Sequence, residues 1–240
     1  MEGLGEEDIF KFISNEKNIM FNDYFNNDLF NGTPLISHGT ERVSFGYEFN
    51  KPLGHYGFGS YLPKSLRILE ISGKFNQSVD FLPDGLLTLH FMKNCIFNQI
   101  ITRWPTKLEV LRFGDNFNSY MSTFPTNLKI LEFGDRFNRA INPTILPRKL
   151  FTISFGNDFS QYIDDFPDSV ENIKLGDNFN LDILYLPKNL KYIEFGRKFD
   201  KIQIFDRLPE SIKRVRVSEC LPNLRLIQEK YNDKIVVKKN

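Results

Sequence analysis

The residues whose types could do chemistry are few and poorly grouped. Asp115, Asp135 and Asp177 sit at matching points in GDNFN and GDRFN stretches, yet no calcium loop forms around them. They read as turn residues. The segment Gly54-His55-Tyr56-Gly57-Phe58-Gly59-Ser60 is rich in glycine, but the order is wrong for a phosphate cradle and no Lys-Ser/Thr follows. It reads as a loop. His38, His55 and His90 are scattered, and no HExxH, G-x-S-x-G, Walker A or G-x-G-x-x-G sequence occurs. Cys95 and Cys220 are too few for a disulfide framework and form no CxxC, which suggests reduced thiols in an intracellular protein. Asn31-Gly32-Thr33 and Asn76-Gln77-Ser78 match glycosylation acceptors but come without a secretion signal. These observations lead us to expect no catalytic residue, no cofactor and no metal.

Composition sets the next bounds. The chain has 240 residues, 41% hydrophobic and 25% charged, so one soluble domain with small caps is expected. A net charge of +1 gives no global field calling for nucleic acid or an anionic membrane. No apolar run is long enough to span a bilayer, and the first residues, MEGLGEEDIFKF, are acidic where a signal peptide is basic. Phe occurs 25 times and Ala only as Ala140, an unpromising composition for a helical bundle.

A repeat dominates the pattern. Prolines after Leu, Phe or Trp fall at Pro63, Pro83, Pro105, Pro125, Pro147, Pro167, Pro187 and Pro209, at intervals of 20 or 22 residues. A second series is Phe followed by a small polar residue, from Phe49-Asn50 through Phe75-Asn76, Phe97-Asn98, Phe117-Asn118, Phe137-Asn138, Phe159-Ser160 and Phe179-Asn180 to Phe199-Asp200. Residues Phe124 to Ile141 give the clearest unit, which reduces to L-P-x-x-L-x-x-L-x-F-G-x-x-F-N-x-x-x-I.

Each position has a physical role. The L-x-x-L-x-F stretch ends in period-2 alternation, so it predicts a short strand with Leu128, Leu131 and Phe133 facing inward. The glycine after it (Gly134 here) is expected to supply the backbone angles of a sharp corner. Phe137 then refills the core, and Asn138 is expected to hold the turn by bonding nearby backbone. Four residues after each Phe comes an apolar residue, with Gln203 the exception. One unit cannot bury its apolar side alone, but stacked units can. Successive strands would then lie ~4.8 Å apart in a parallel sheet, with equivalent Phe rings stacked through the array.

The unit resembles the FNIP repeat, a relative of the leucine-rich repeat common in social amoebae and the giant viruses that infect them. The resemblance covers about residues 36 to 217. Endings such as FNQSV depart from the family's Ile-Pro, and the spacing from Phe49 to Phe75 is stretched to 26 residues. The resemblance implies a leucine-rich-repeat-like solenoid used in protein recognition. We therefore expect about eight or nine coils of 20–22 residues, one short parallel strand per coil, a mostly non-helical return path and short helical caps.

Residues 1–35 are expected to form an N-terminal cap, 36–217 the array and 218–240 a C-terminal cap. Ile9, Phe10, Phe12 and Ile13 suggest a short amphipathic helix; Leu221 to Tyr231 suggest another, with Ile235-Val236-Val237 following as a strand or apolar tail. Some relatives carry an F-box at the N-terminus, but its Leu-Pro start and helical run are missing here. Residues 1–30 carry net −5 and residues 211–240 net +5. Head-to-tail association is the sharper reading of these charges. Two solvated ends of a monomer is the plainer one, since exposed charges are screened beyond ~8 Å.

Strand phasing sends two rows of side chains outward. One runs Arg42, Ile68, Thr88, Val110, Ile130, Thr152, Asn172, Tyr192, Arg214; the other Ser44, Glu70, His90, Arg112, Glu132, Ser154, Lys174, Glu194, Arg216. The candidate partner-binding face takes Ile68, Glu70, His90, Val110, Arg112, Ile130, Glu132, Lys174, Tyr192 and Glu194 from them. A ladder of cross-strand pairs, each worth ~0.2–1 kcal/mol, is the plainer account of the mixed charges. The enzymatic alternative is a β-helix acting on polysaccharide. It needs carboxylates ~5–9.5 Å apart, whereas Glu70, Glu132 and Glu194 fall three strands, ~14 Å, from one another. The reading is thus a non-enzymatic interaction module for an unidentified protein partner, with a ubiquitin-ligase substrate receptor as its alternative.

Overall fold

Why the chain turns every 20–22 residues is visible at its prolines. In a computed structural model, which describes residues 17–238, the carbonyl of each phased proline accepts the N–H three residues on, as in Leu66 to Pro63 (3.0 Å) and Leu190 to Pro187 (3.1 Å). The L-P-x-x-L spacing is therefore a closed turn that delivers the chain into a strand. The expected helix at Ile9 to Ile13 lies outside the described residues.

Two compact units divide the chain, Met1–Met121 and Ser122–Asn240. In the first, the strands in chain order are β1 (Asn18–Met20), β2 (Arg42–Phe45), β3 (Gly54–His55), β4 (Gly59–Ser60), β5 (Ile68–Ile71), β6 (Thr88–Phe91) and β7 (Val110–Arg112). Strands β1, β2, β5, β6 and β7 pair in that order, all parallel. Strands β3 and β4 form a separate antiparallel hairpin, so the segment expected as a loop is a small hairpin. The second unit holds β8 (Ile130–Glu132), β9 (Thr152–Ser154), β10 (Asn172–Lys174), β11 (Tyr192–Glu194), β12 (Arg214–Ser218), the helix α1 (Leu224–Tyr231) and β13 (Ile235–Lys238). Its six strands pair in sequence order and all parallel. Each unit is a parallel β-solenoid; the second has 3-10 turns at Pro143–Ile145 and Ile202–Arg207, and α1 with a 3-10 turn at Asn232–Lys234 joins β12 to β13, while the other return paths among the described residues are non-helical.

The array runs further than the expected eight or nine coils. Strand β1, inside the expected cap, pairs with β2, and Phe25 stacks on Phe49 at 5.9 Å. Asn18-Ile19-Met20-Phe21-Asn22-Asp23-Tyr24-Phe25-Asn26 is a repeat strand and corner with no proline turn before it. At the other end β13 continues the sheet beyond α1.

In each unit two interlocked aromatic columns fill the core. Within a coil, the strand Phe lies on the corner Phe, at 3.7 Å for both Phe113–Phe117 and Phe155–Phe159. Between coils, corner rings follow one another at 6.0 Å (Phe97–Phe117) and 6.3 Å (Phe159–Phe179). Leu128, Leu131 and Phe133 are buried as expected. At the exception, Gln203 is exposed and Ile204 is buried instead; the chain enters a 3-10 turn one residue earlier, which moves the apolar slot along by one.

The corner glycines act otherwise than expected. Only Gly73 among them has positive φ, +55°. At Gly156, Gly176 and Gly196 a Cβ would lie 2.1–2.4 Å from the backbone of the preceding coil's glycine. The requirement is for close approach between coils, not for special angles. The corner asparagines also differ: their side chains bond the next coil instead of their own turn. Asn26 Oδ1 accepts from Asn50 N–H (2.9 Å), Asn50 from Asn76 (3.0 Å) and Asn76 from Asn98 (2.9 Å). In the second unit Asn138 accepts from Ser160 and Asn180 from Asp200, both at 3.0 Å. Acids after the glycine do the same, with Asp135 accepting from Asn157 N–H (3.2 Å) and Asp177 from Arg197 N–H (3.1 Å).

Candidate protein-docking face

Parallel pairing in register turns one outward side chain per coil into a row. In the first unit Arg42, Ile68, Thr88 and Val110 are consecutive partners, and beside them run Ser44, Glu70, His90 and Arg112. The second unit aligns Ile130, Thr152, Asn172, Tyr192 and Arg214, with Glu132, Ser154, Lys174, Glu194 and Arg216 alongside. The ten candidate residues thus take the positions that strand phasing gives them. Ile68, Glu70, His90, Val110 and Arg112 are half-buried in the first unit, as are Ile130, Glu132 and Tyr192 in the second; Lys174 is exposed. Half-burial is what an uncovered sheet face produces, because neighbouring side chains shield one another while their tips reach solvent.

Local bonding gives the face two characters. In the first unit the Ser44 hydroxyl donates to the Glu70 carboxylate across β2 and β5. The second unit concentrates charge around Glu194, which is only 6% exposed. The Tyr192 hydroxyl donates to its Oε2 at 2.8 Å, Arg216 approaches the same oxygen at 3.4 Å, and Lys238 Nζ lies 3.5 Å from Oε1. Burial opposes ionisation of Glu194. The Tyr192 hydroxyl and the charges of Lys174, Lys238 and Arg216 outweigh it and hold the carboxyl below the usual glutamate range. Burial, reinforced by the bond to Glu194, pushes the Tyr192 hydroxyl up.

Sequence phasing misses Lys238, which reaches this cluster from β13. The available signal was the strand-forming run Ile235-Val236-Val237, read only as a strand or apolar tail because it has no proline turn and no corner Phe. The acids do not form a catalytic pair. Glu132 and Glu194 are separated by β9 and β10, ~14 Å at strand spacing, and Glu194 is committed to its neighbours. Among the described residues no group of His, Cys, Asp and Glu could hold a metal ion, and no helix is long and apolar enough to cross a membrane. Cys95 is buried, and burial pushes its thiol up to about 11, far from reactive.

Comparison with known proteins agrees with this geometry. Residues 121–158, 159–198 and 181–220 match the FNIP Repeat. The crystal structure of CroV588, described as a novel circular LRR protein, is similar with a TM-score of 0.61 and 26% sequence identity. The match covers 89% of this chain and 42% of CroV588, so this chain spans less than half the length of that protein. No curated protein matches significantly.

Proposed function

Because residues 121–220 match the FNIP Repeat, we propose that the protein is a non-enzymatic interaction module whose outward strand rows dock a protein partner. One observation carries the reading. In each unit the sheet presents two parallel rows in register on a backbone fixed by inter-coil bonds, and the rows remain accessible to solvent. A rigid, regularly spaced surface loses little entropy on binding. Ile68 and Val110 in the first unit and Ile130 in the second offer apolar contact, while Glu70, Arg112, Glu132 and Lys174 supply charges that set orientation and choice of partner. The reading carries an intracellular setting with it, supported by cysteine usage typical of a reducing compartment.

The test is affinity capture from the native cell with the wild-type chain and with Ile68→Asp, Val110→Asp and Ile130→Asp combined. The proposal expects the bound protein to be lost while circular dichroism and melting stay unchanged. A Thr version of the same triple variant keeps β-propensity and guards against a loss caused by unfolding. Undiminished capture by a folded Asp variant would refute the reading.

A further inference from the structure

The hairpin β3–β4 interrupts the repeat and accounts for the stretched 26-residue interval between Phe49 and Phe75. Its tip is aromatic and uncovered, with Tyr56 89% and Phe58 74% exposed. The hairpin is nevertheless placed with care. Tyr56 meets Phe81 edge-on at 4.9 Å, Phe58 lies 6.1 Å from Phe30, and the His55 ring nitrogen accepts the Gly57 N–H at 3.1 Å. Tyr56 and Phe58 themselves stay outside the buried core, so these edge contacts leave most of each ring open to solvent. Tyrosine and other aromatics are the usual anchors of binding surfaces.

Beside the hairpin runs a groove of about 890 Å³ between it and the turns that lead into β5, β6 and β7. None of its lining residues belongs to the outward rows, so this surface is independent of the sheet face. Its charges are unequally committed. Asp80 already accepts from Thr102 N–H (2.9 Å), the Thr102 hydroxyl (2.8 Å) and Arg103 N–H (3.1 Å). Asp84 takes the Arg103 guanidinium at 2.8 Å. Both acids are thus occupied by the coil that follows. The cations are not. The Arg67 guanidinium donates to the carbonyls of Lys64, Leu66 and Gly85 (3.1, 3.1 and 3.2 Å) and meets no carboxylate, and neither Lys64 nor Lys107 has an ion pair among the described residues.

We propose that this groove binds an acidic peptide segment of a partner protein, with an aromatic or aliphatic side chain of that segment seated against Tyr56 and Phe58. Its carboxylates would meet Lys64, Arg67 and Lys107, whose charge is uncompensated, and the hairpin tip would be covered by the peptide's apolar side chain. The charge complementarity selects an acidic occupant, and the exposed aromatics require it to carry apolar groups as well.

Fluorescence anisotropy of the full chain tests this with a labelled peptide alternating glutamate and phenylalanine. The controls are a lysine–phenylalanine peptide and a labelled single-stranded oligothymidylate. The acidic peptide is expected to bind saturably and more weakly as salt rises, with affinity falling about tenfold or more in Lys64→Glu/Lys107→Glu and in Tyr56→Ser/Phe58→Ser. All four residues are solvent-facing, so both variants should melt with the wild type. The lysine peptide should not bind. Absence of saturable binding by the acidic peptide, or binding unchanged by both variants, would overturn the proposal. Tighter binding of the oligothymidylate would overturn it too, and would reassign the groove to single-stranded nucleic acid. Loss of partner capture through the Ile68, Val110 and Ile130 variants bears only on the sheet face, so the two surfaces fail separately.

Discussion

The Asn98 side-chain oxygen accepts the backbone N–H of Asn118 at 2.8 Å, twenty residues and one coil away. The corner asparagine is thus a rung between coils. Its neighbour reinforces it, as the Ser119 hydroxyl donates to the carbonyl and side-chain oxygens of Asn98 at 2.7 and 2.9 Å. Removing one rung should therefore weaken stacking more than it alters a turn. Asn98→Ala is expected to lower stability by about 0.5–1.5 kcal/mol, while Asn98→Asp, which keeps the acceptor, should stay close to wild type. Urea midpoints of the two variants check this. A turn-holding role predicts no such separation from the next coil's N–H, which hydrogen exchange at Asn118 reads directly.

The corner glycines make a sharper prediction. Gly176 has no positive φ, yet a Cβ there would lie 2.1 Å from the Gly156 carbonyl oxygen. Gly39 has φ +99° with nothing within 4 Å of an added Cβ. Gly176→Ala should cost ~3 kcal/mol, because backbone cannot move aside as a side-chain tip can. Gly39→Ala should cost less, ~1 kcal/mol, through strain alone. Thermal or denaturant unfolding of the pair settles the order, and a larger loss at Gly39 would mean that backbone angle, not approach, governs these sites.

The repeat, the inward residues and the two outward rows were all legible in the sequence, because phased Pro, Phe and Gly fix both register and strand direction. Besides the glycine contacts and the β3–β4 hairpin, three features were not. The first strand has no proline turn before it, so Asn18 to Asn26 did not announce itself as a coil. The asparagine rungs looked like local turn chemistry, since a side chain that can reach its own backbone can equally reach the next coil, and only stacking decides between them. The Glu194 cluster draws Lys238 from a strand outside the repeat, 44 residues away in sequence, which no period predicts.

Glu194 gives the face a pH signature. Its folded-state pKa lies below the unfolded value of ~4.3, so its contribution is present in full above that value. That contribution is lost as pH falls through the lowered native pKa, because the folded carboxylate must then take up a proton it resists. Glu194→Gln should lower stability at neutral pH by about 1–3 kcal/mol; the figure is held down by the partial exposure of Arg216 and Lys238. The variant should also show a shallower decline in stability through the acid range than wild type. Melting temperatures measured from neutral to acidic pH provide the comparison. Parallel curves for the two proteins would remove Glu194 from the account.

Site-specific photo-crosslinking in native extract tests the central claim most directly. A crosslinking residue at Val110 or Ile130, on the outward rows, is compared with one at Lys149, an exposed turn position outside them. Docking on the sheet face predicts the same crosslinked protein from Val110 and Ile130 and none from Lys149. Equal crosslinking at Lys149, or none at either face position while the partner still copurifies, would contradict it.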